Sequence, residues 1–152
     1  MTPFTLVVHG EPAAQGSKRL VRTRAGRTLM LENSAKVKPW RTAVAQAARV
    51  ANCPLFGGDV AIHAVLLFVR PASHFGKAGQ LRASAPERPG YIDVDKGARA
   101  ILDALAGIAY QNDRQVAVLS IQRMWAEPGM GSGAWIQIAH APTPEKHIDI
   151  GG

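Results

Sequence analysis

The run DVAIHAVLLFVR, residues 59–70, reads as a strong strand. No apolar run in the chain approaches the roughly 18 to 20 residues that cross a bilayer, so these side chains need cover from other elements of the fold. The rest of the pattern supplies it. FTLVVHG (4–10) predicts a first strand, stopped by Gly-Glu-Pro, and KRLVRTRAGRTLML (18–31) predicts a basic hairpin turning near Ala25 and Gly26. A helix is expected over about 37–52. There Trp40, Val44, Ala47, Ala48 and Ala51 share a face, and Pro39 falls in the first turn, where it is tolerated.

The next twenty residues, PASHFGKAGQLRASAPERPG (71–90), have no clear period. Loops of that length inside a compact domain are usually functional or disordered. A helix follows over about 95–106, with Asp95 as its N-cap, an apolar stripe of Ala98, Ile101, Leu102 and Leu105, and Gly107 as its stop. QVAVLSIQRMW (115–125) and AWIQIAHA (134–141) then predict a closing two-stranded hairpin around the turn at 127–133. The expectation is one α+β domain over 1–152, a mixed sheet covered by two main helices, with about 143–152 as a flexible tail.

Composition narrows the function. The start, MTPFTLVVHGEP, lacks a positive segment followed by a long apolar core, so no signal peptide is expected. The one cysteine, Cys53, excludes a disulfide framework and a cysteine-based zinc site, which suits a reducing, cytoplasmic compartment. The formal charge is +7, and residues 1–50 hold nine basic residues against two acidic ones. Such a balance favours a polyanionic partner, nucleic acid first. Lys18, Arg19, Arg22, Arg24 and Arg27 in the hairpin, with Lys77, Arg82 and Arg88 in the long loop, are candidate phosphate contacts. His74 and Phe75 are the loop's candidates for contact with an unpaired base. A solvated basic face and a loop anchor are the plain alternatives. No membrane partner, nucleotide fingerprint or histidine metal spacing is evident.

Against this basic background stands YIDVDKGARAILDALAGIAYQNDRQV, residues 91–116. Asp93 and Asp95 lie two apart on an extended approach to the helix, and Asp113 follows it, so the chain has room to return Asp113 to the same end. Gathered carboxylates repel one another unless a hard cation joins them, and Mg²⁺ or Mn²⁺ suits oxygen ligands. An N-cap role for Asp95 and a turn role for Asp113 compete with that reading. Asp103 sits in the later half of the helix, and Arg99, four residues before it, is its expected ion-pair partner.

The segment DVDKGARAILDALAGIAYQNDRQV resembles the signature of the RusA-type Holliday junction resolvases, common in phages and prophages. HGEPAAQGSKR resembles that family's first strand and turn, and the resemblance spans roughly residues 4–125. It implies a homodimeric, Mg²⁺-dependent endonuclease that nicks four-way DNA junctions symmetrically, with Asp93, Asp95 and Asp113 as metal ligands. The family's functional lysine falls at Arg99, its asparagine after the second aspartate at Lys96, and the first of its later acid pair at Asn112. Arg99 keeps the charge but is a poor proton donor. Lys96 is the candidate to take over that role, while Asp103 and Gln115 are candidate helpers. The rival class is a basic DNA-binding module whose aspartates are structural.

Overall fold

The computed structural model describes residues 2–16, 19–31 and 35–152. In chain order it has strands β1 (Phe4–His9), β2 (Arg19–Arg22) and β3 (Thr28–Leu31), then helix α1 (Val37–Val50) and strand β4 (Val60–Phe68). Helix α2 (Val94–Leu105) and strands β5 (Val116–Trp125) and β6 (Gly133–His140) complete it. Four strands form a mixed sheet in the order β1-β6-β4-β5, antiparallel except for the β4–β5 pair. The fold is α+β, as the pattern predicts.

Strict alternation builds the core. Leu6 and Val8 on β1, Ile62, Ala64 and Leu66 on β4, and Ile136 and Ile138 on β6 are almost wholly buried. They occupy one cross-strand face, since Leu6 pairs with Ile136, which pairs in turn with Ala64. The helices cover this face. Trp40, Val44 and Ala48 repeat at helical spacing and bury α1, while Ile101 and Leu105 bury α2. Pro39 lies in the first turn of α1, where its missing N–H costs nothing.

The expected closing hairpin does not form. Both neighbours of β6 are β1 and β4, so β5 and β6 lie on opposite sides of β4. Burial explains this: β6 alternates between buried and half-buried positions over residues 134–139, which suits a central strand, whereas β5 is exposed over residues 117–120. The seven-residue connection 126–132, with Gly129 at φ +85°, is long enough to step past one strand. The parallel β4–β5 pair in turn requires a crossover, supplied by the long loop and α2.

The basic hairpin forms a separate two-stranded sheet. Its turn closes through Thr23 and Arg27, with Gly26 at φ +78°. The long loop is more ordered than its composition suggests. A short 3₁₀ turn covers Ala72–His74, and the Pro86 carbonyl accepts hydrogen bonds from both Arg70 and the Trp125 indole, each at 2.9 Å. No regular structure follows His140, and no helix among the described residues is long and apolar enough to cross a membrane.

Candidate functional site

The start of α2 is set by close packing. A Cβ on Gly97 would lie 2.8 Å from the Leu66 methyl and 3.1 Å from that of Ile92, so glycine lets this turn rest on β4 without displacing either side chain. Arg123 on β5 donates to the Ile92 carbonyl, and the Gln15 N–H donates to the Lys96 carbonyl. Tyr91 stacks at a tilt on Phe68 and edge-on to Trp125, the last residues of β4 and β5. The approach to the helix is therefore held from three sides at the C-terminal end of these strands.

Asp93, not Asp95, occupies the N-cap position, and its carboxylate makes no capping hydrogen bond. Asp95 falls inside the first turn. The expected cap at Asp95 is thus corrected by two residues: extended backbone at Asp93 (φ −73°, ψ 137°) places the helix start before Asp95. Both acids are exposed, and Asp95 makes no hydrogen bond or ion pair among the described residues. Lys96 lies 3.5 Å from Asp93, one turn along the helix. Beside them a cleft of about 680 Å³ is lined by Glu11, Lys36, Phe68, Tyr91 and Ile92. Glu11, which pairs with Lys36 at 2.8 Å, is a carboxylate at this end that the sequence reading did not single out. Its only signal was an acid just after the first strand.

Asp113 is elsewhere. It opens a 3₁₀ turn, Asp113–Gln115, that leads into β5, whose Val116 pairs with Val60 at the start of β4. The six residue steps from Val60 to Leu66 span about 20 Å, and the twelve residues of α2 about 18 Å. One chain thus holds Asp93 and Asp95 at one end of the sheet and Asp113 at the other. Among the described residues no group of three acids or histidines is placed to hold a metal. The expected return of Asp113 to the acid pair fails within a chain because β5 runs parallel to β4, which starts it at the far end.

Asn112 and Gln115 serve this turn. The Asn112 side chain accepts from the Arg114 N–H, and the Gln115 carbonyl accepts from the N–H groups of Gln111 and Asn112. The Gln115 amide also donates to Phe56 and Gly58, which pins the turn to the start of β4. Gln115 is committed to structure rather than to a ligand. Asp103 forms no ion pair with Arg99, the partner expected for it, and instead lines a cleft with Arg41 and Arg49. Buried Tyr110 donates to the Leu102 carbonyl at 2.7 Å. Burial first, then the charges of Asp113 and Asp103, push its phenol well above its ordinary range.

Lys18 lies outside the described residues, and Arg19 begins β2. Arg22, Arg24 and Arg27 are exposed on the hairpin, as is Lys77 on the long loop. Arg82 and Arg88, also exposed, each donate to a backbone carbonyl, of Phe75 and Arg123 respectively. His74 sits edge-on to Trp125 and beside Arg70. Phe75 is half-buried in the wall of a cleft of about 720 Å³ with Leu81, Met124, Trp125 and Met130.

Comparison with known families adds one finding. Residues 9–131 match the family described as Endodeoxyribonuclease RusA, and the chain belongs to that family of Holliday junction resolving endonucleases. No curated protein matches the sequence.

Proposed function

We propose that this protein is a homodimeric, Mg²⁺-dependent endodeoxyribonuclease that resolves four-way DNA junctions by paired symmetric nicks in the cytoplasm of a bacterial cell, as a phage- or prophage-encoded enzyme. The observation that carries the reading is the pair of exposed, uncapped carboxylates at the start of α2, inside the segment that the family match covers.

The donor set suits a hard cation. Mg²⁺ keeps several waters and commonly takes one or two carboxylates plus substrate phosphate, which Asp93 and Asp95 can provide, with Mn²⁺ as the alternative. Asp113 joins them from the second copy of the chain, because its own pair is about 20 Å distant. When bound, the ion supplies Lewis acidity that activates a water and stabilises charge on the phosphoryl oxygens. Arg99 faces solvent one turn after Asp95 and neutralises phosphate charge electrostatically. Lys96 screens Asp93 before substrate arrives and can reorient to phosphate once a cation replaces it. The exposed hairpin arginines and Lys77 bind backbone phosphates without reading sequence. A junction has two equivalent strands to cut, and a two-fold dimer presents two equivalent sites.

The Lys96–Asp93 pair also favours a second reading, a DNA-binding module in which Lys96 permanently neutralises the acid. One assay separates them. A synthetic four-way junction is incubated with wild-type protein in Mg²⁺, in EDTA, and with Asp95→Asn. Paired nicks are expected only from the wild type with metal, and junction binding persists in the variant. Cleavage in EDTA or by Asp95→Asn removes the metal mechanism; binding without cleavage in any divalent ion establishes the module.

A further inference from the structure

We infer that the cleft between the long loop and the end of β5 takes one unpaired DNA base from the branch point and holds it beside Trp125. This rests on the reading above that the substrate is a junction, and it names the part of that substrate the cleft receives.

The cleft, of about 720 Å³, falls within the range of about 300–1,000 Å³ that accommodates small planar ligands. Its apolar lining is left open to solvent. Leu81 is 52% exposed, Met124 42% and Met130 59%. Exposed apolar side chains scattered singly need no explanation, but these three converge on one hollow from the long loop, β5 and the turn after it. The two methionines add flexible, polarisable thioethers, which fit aromatic rings of differing shape.

Trp125 is the fixed wall. Its indole N–H donates to the Pro86 carbonyl at 2.9 Å, and the rings of His74 and Tyr91 meet it edge-on at 5.2 Å and 5.8 Å. The Arg70 guanidinium lies 4.8 Å from the centre of the ring and also lines the cleft. Bases stack on aromatic faces and on guanidinium planes alike, whatever the base. A wall already held by these contacts loses little freedom when a base arrives. Phe75 is half-buried in the same lining, so it receives a base and does not project as a wedge.

Charge decides between a base and a phosphate. Arg70 and Arg88 line the cleft together with Glu87 and Glu127, a balance that suits an uncharged ring. Lys77 and Arg82, exposed on the same loop but outside that lining, supply phosphate contacts at the rim. Position selects the branch point. Tyr91, which touches Trp125, stands two residues before Asp93, so cleft and acid pair share one end of the sheet. Bases at a branch have lost part of their stack, and turning one out costs least there.

Photo-cross-linking tests the site. 5-Iododeoxyuridine is placed at the branch point of a synthetic four-way junction, or in the middle of one arm, and each complex is irradiated in EDTA. Mass spectrometry of the wild type is expected to find the branch-point label on Phe75, Trp125 or Met130, and the arm label on none of them. Leu81→Glu, at an exposed position whose fold is checked by circular dichroism, should lose that cross-link. Its junction affinity should fall about ten-fold below that of Ser84→Glu, which adds the same charge to the same loop outside the cleft. Both variants should bind plain duplex equally. No attachment in the cleft, equal attachment from both labels, or equal junction affinity of the two variants overturns the inference. Junction cleavage in Mg²⁺ is scored alongside. Nicking without the cross-link sinks the base site and leaves the nuclease standing; the cross-link without nicking in any divalent ion does the reverse.

Discussion

The ammonium of Lys96 lies 3.5 Å from a carboxylate oxygen of Asp93, so one of the two acids at the start of α2 already has a cation beside it. Under the proposed metal mechanism, Lys96 competes with the ion for that carboxylate. Lys96→Met should tighten Mn²⁺ binding by up to about five-fold, the range of an exposed ion pair. Junction cleavage by the same variant should slow, because the phosphate loses a positive neighbour. Calorimetric titration of metal and single-turnover cleavage measure the two effects separately; unchanged metal affinity would show that the pair does not compete.

Gly97→Ala puts a methyl against Leu66 and Ile92. Alanine gains about 1 kcal/mol in helix propensity over glycine. Overpacking a tight contact costs about 1–3 kcal/mol, so a net loss of up to about 2 kcal/mol is expected in urea unfolding. Cleavage should fall more than binding, since Ile92 adjoins Asp93 and the hairpin cations are elsewhere. A variant as stable and active as the parent contradicts the close contact.

Junction affinity should fall linearly with salt on logarithmic axes, and each of Arg22→Ala, Arg24→Ala and Arg27→Ala should lower that slope by about one if its phosphate contact is real. Filter binding or anisotropy across a salt series reads this. A substitution that leaves the slope untouched returns that arginine to the solvated surface.

Tyr110 gives a stability signature in alkali. Its pKa is raised above the ordinary 10.0 by burial and by Asp113 and Asp103. Above pH 10 the unfolded chain therefore releases this proton while the folded chain keeps it. The unfolded state then binds fewer protons, so stability is full below about pH 10 and is lost as pH climbs towards the folded pKa. Tyr110→Phe should lose about 1 kcal/mol with its bond to Leu102, yet show a flatter decline between pH 9 and 11. Urea midpoints of both proteins over that range provide the comparison.

Most of the elements were legible because each rests on local chemistry. The 3.6-residue spacing of Trp40, Val44 and Ala48, Pro39 in a first turn, and Gly26 in a hairpin all leave marks within a few residues. What sequence misread was long-range. Placing β6 beside β4 rather than β5 depends on which strand is covered on both sides, and no window of residues states that. Asp113 was misplaced for the same reason, since its end of the sheet follows from the parallel direction of β5. Spacing and family resemblance singled out the acidic pair as a candidate, but did not give its phase on the helix. Extended backbone at Asp93 moved the cap two residues earlier. Gln115 looked available because its type is ambiguous, whereas four hydrogen bonds to and from backbone occupy it.

One oxygen, that of Pro86, receives donors from two different strands' ends, Arg70 after β4 and Trp125 on β5. The proline-rich segment is consequently latched rather than draped: it cannot lift unless both grips release together. Removing either grip, through Arg70→Ala or Trp125→Phe, would leave that oxygen with a single donor and the segment tied to one strand alone.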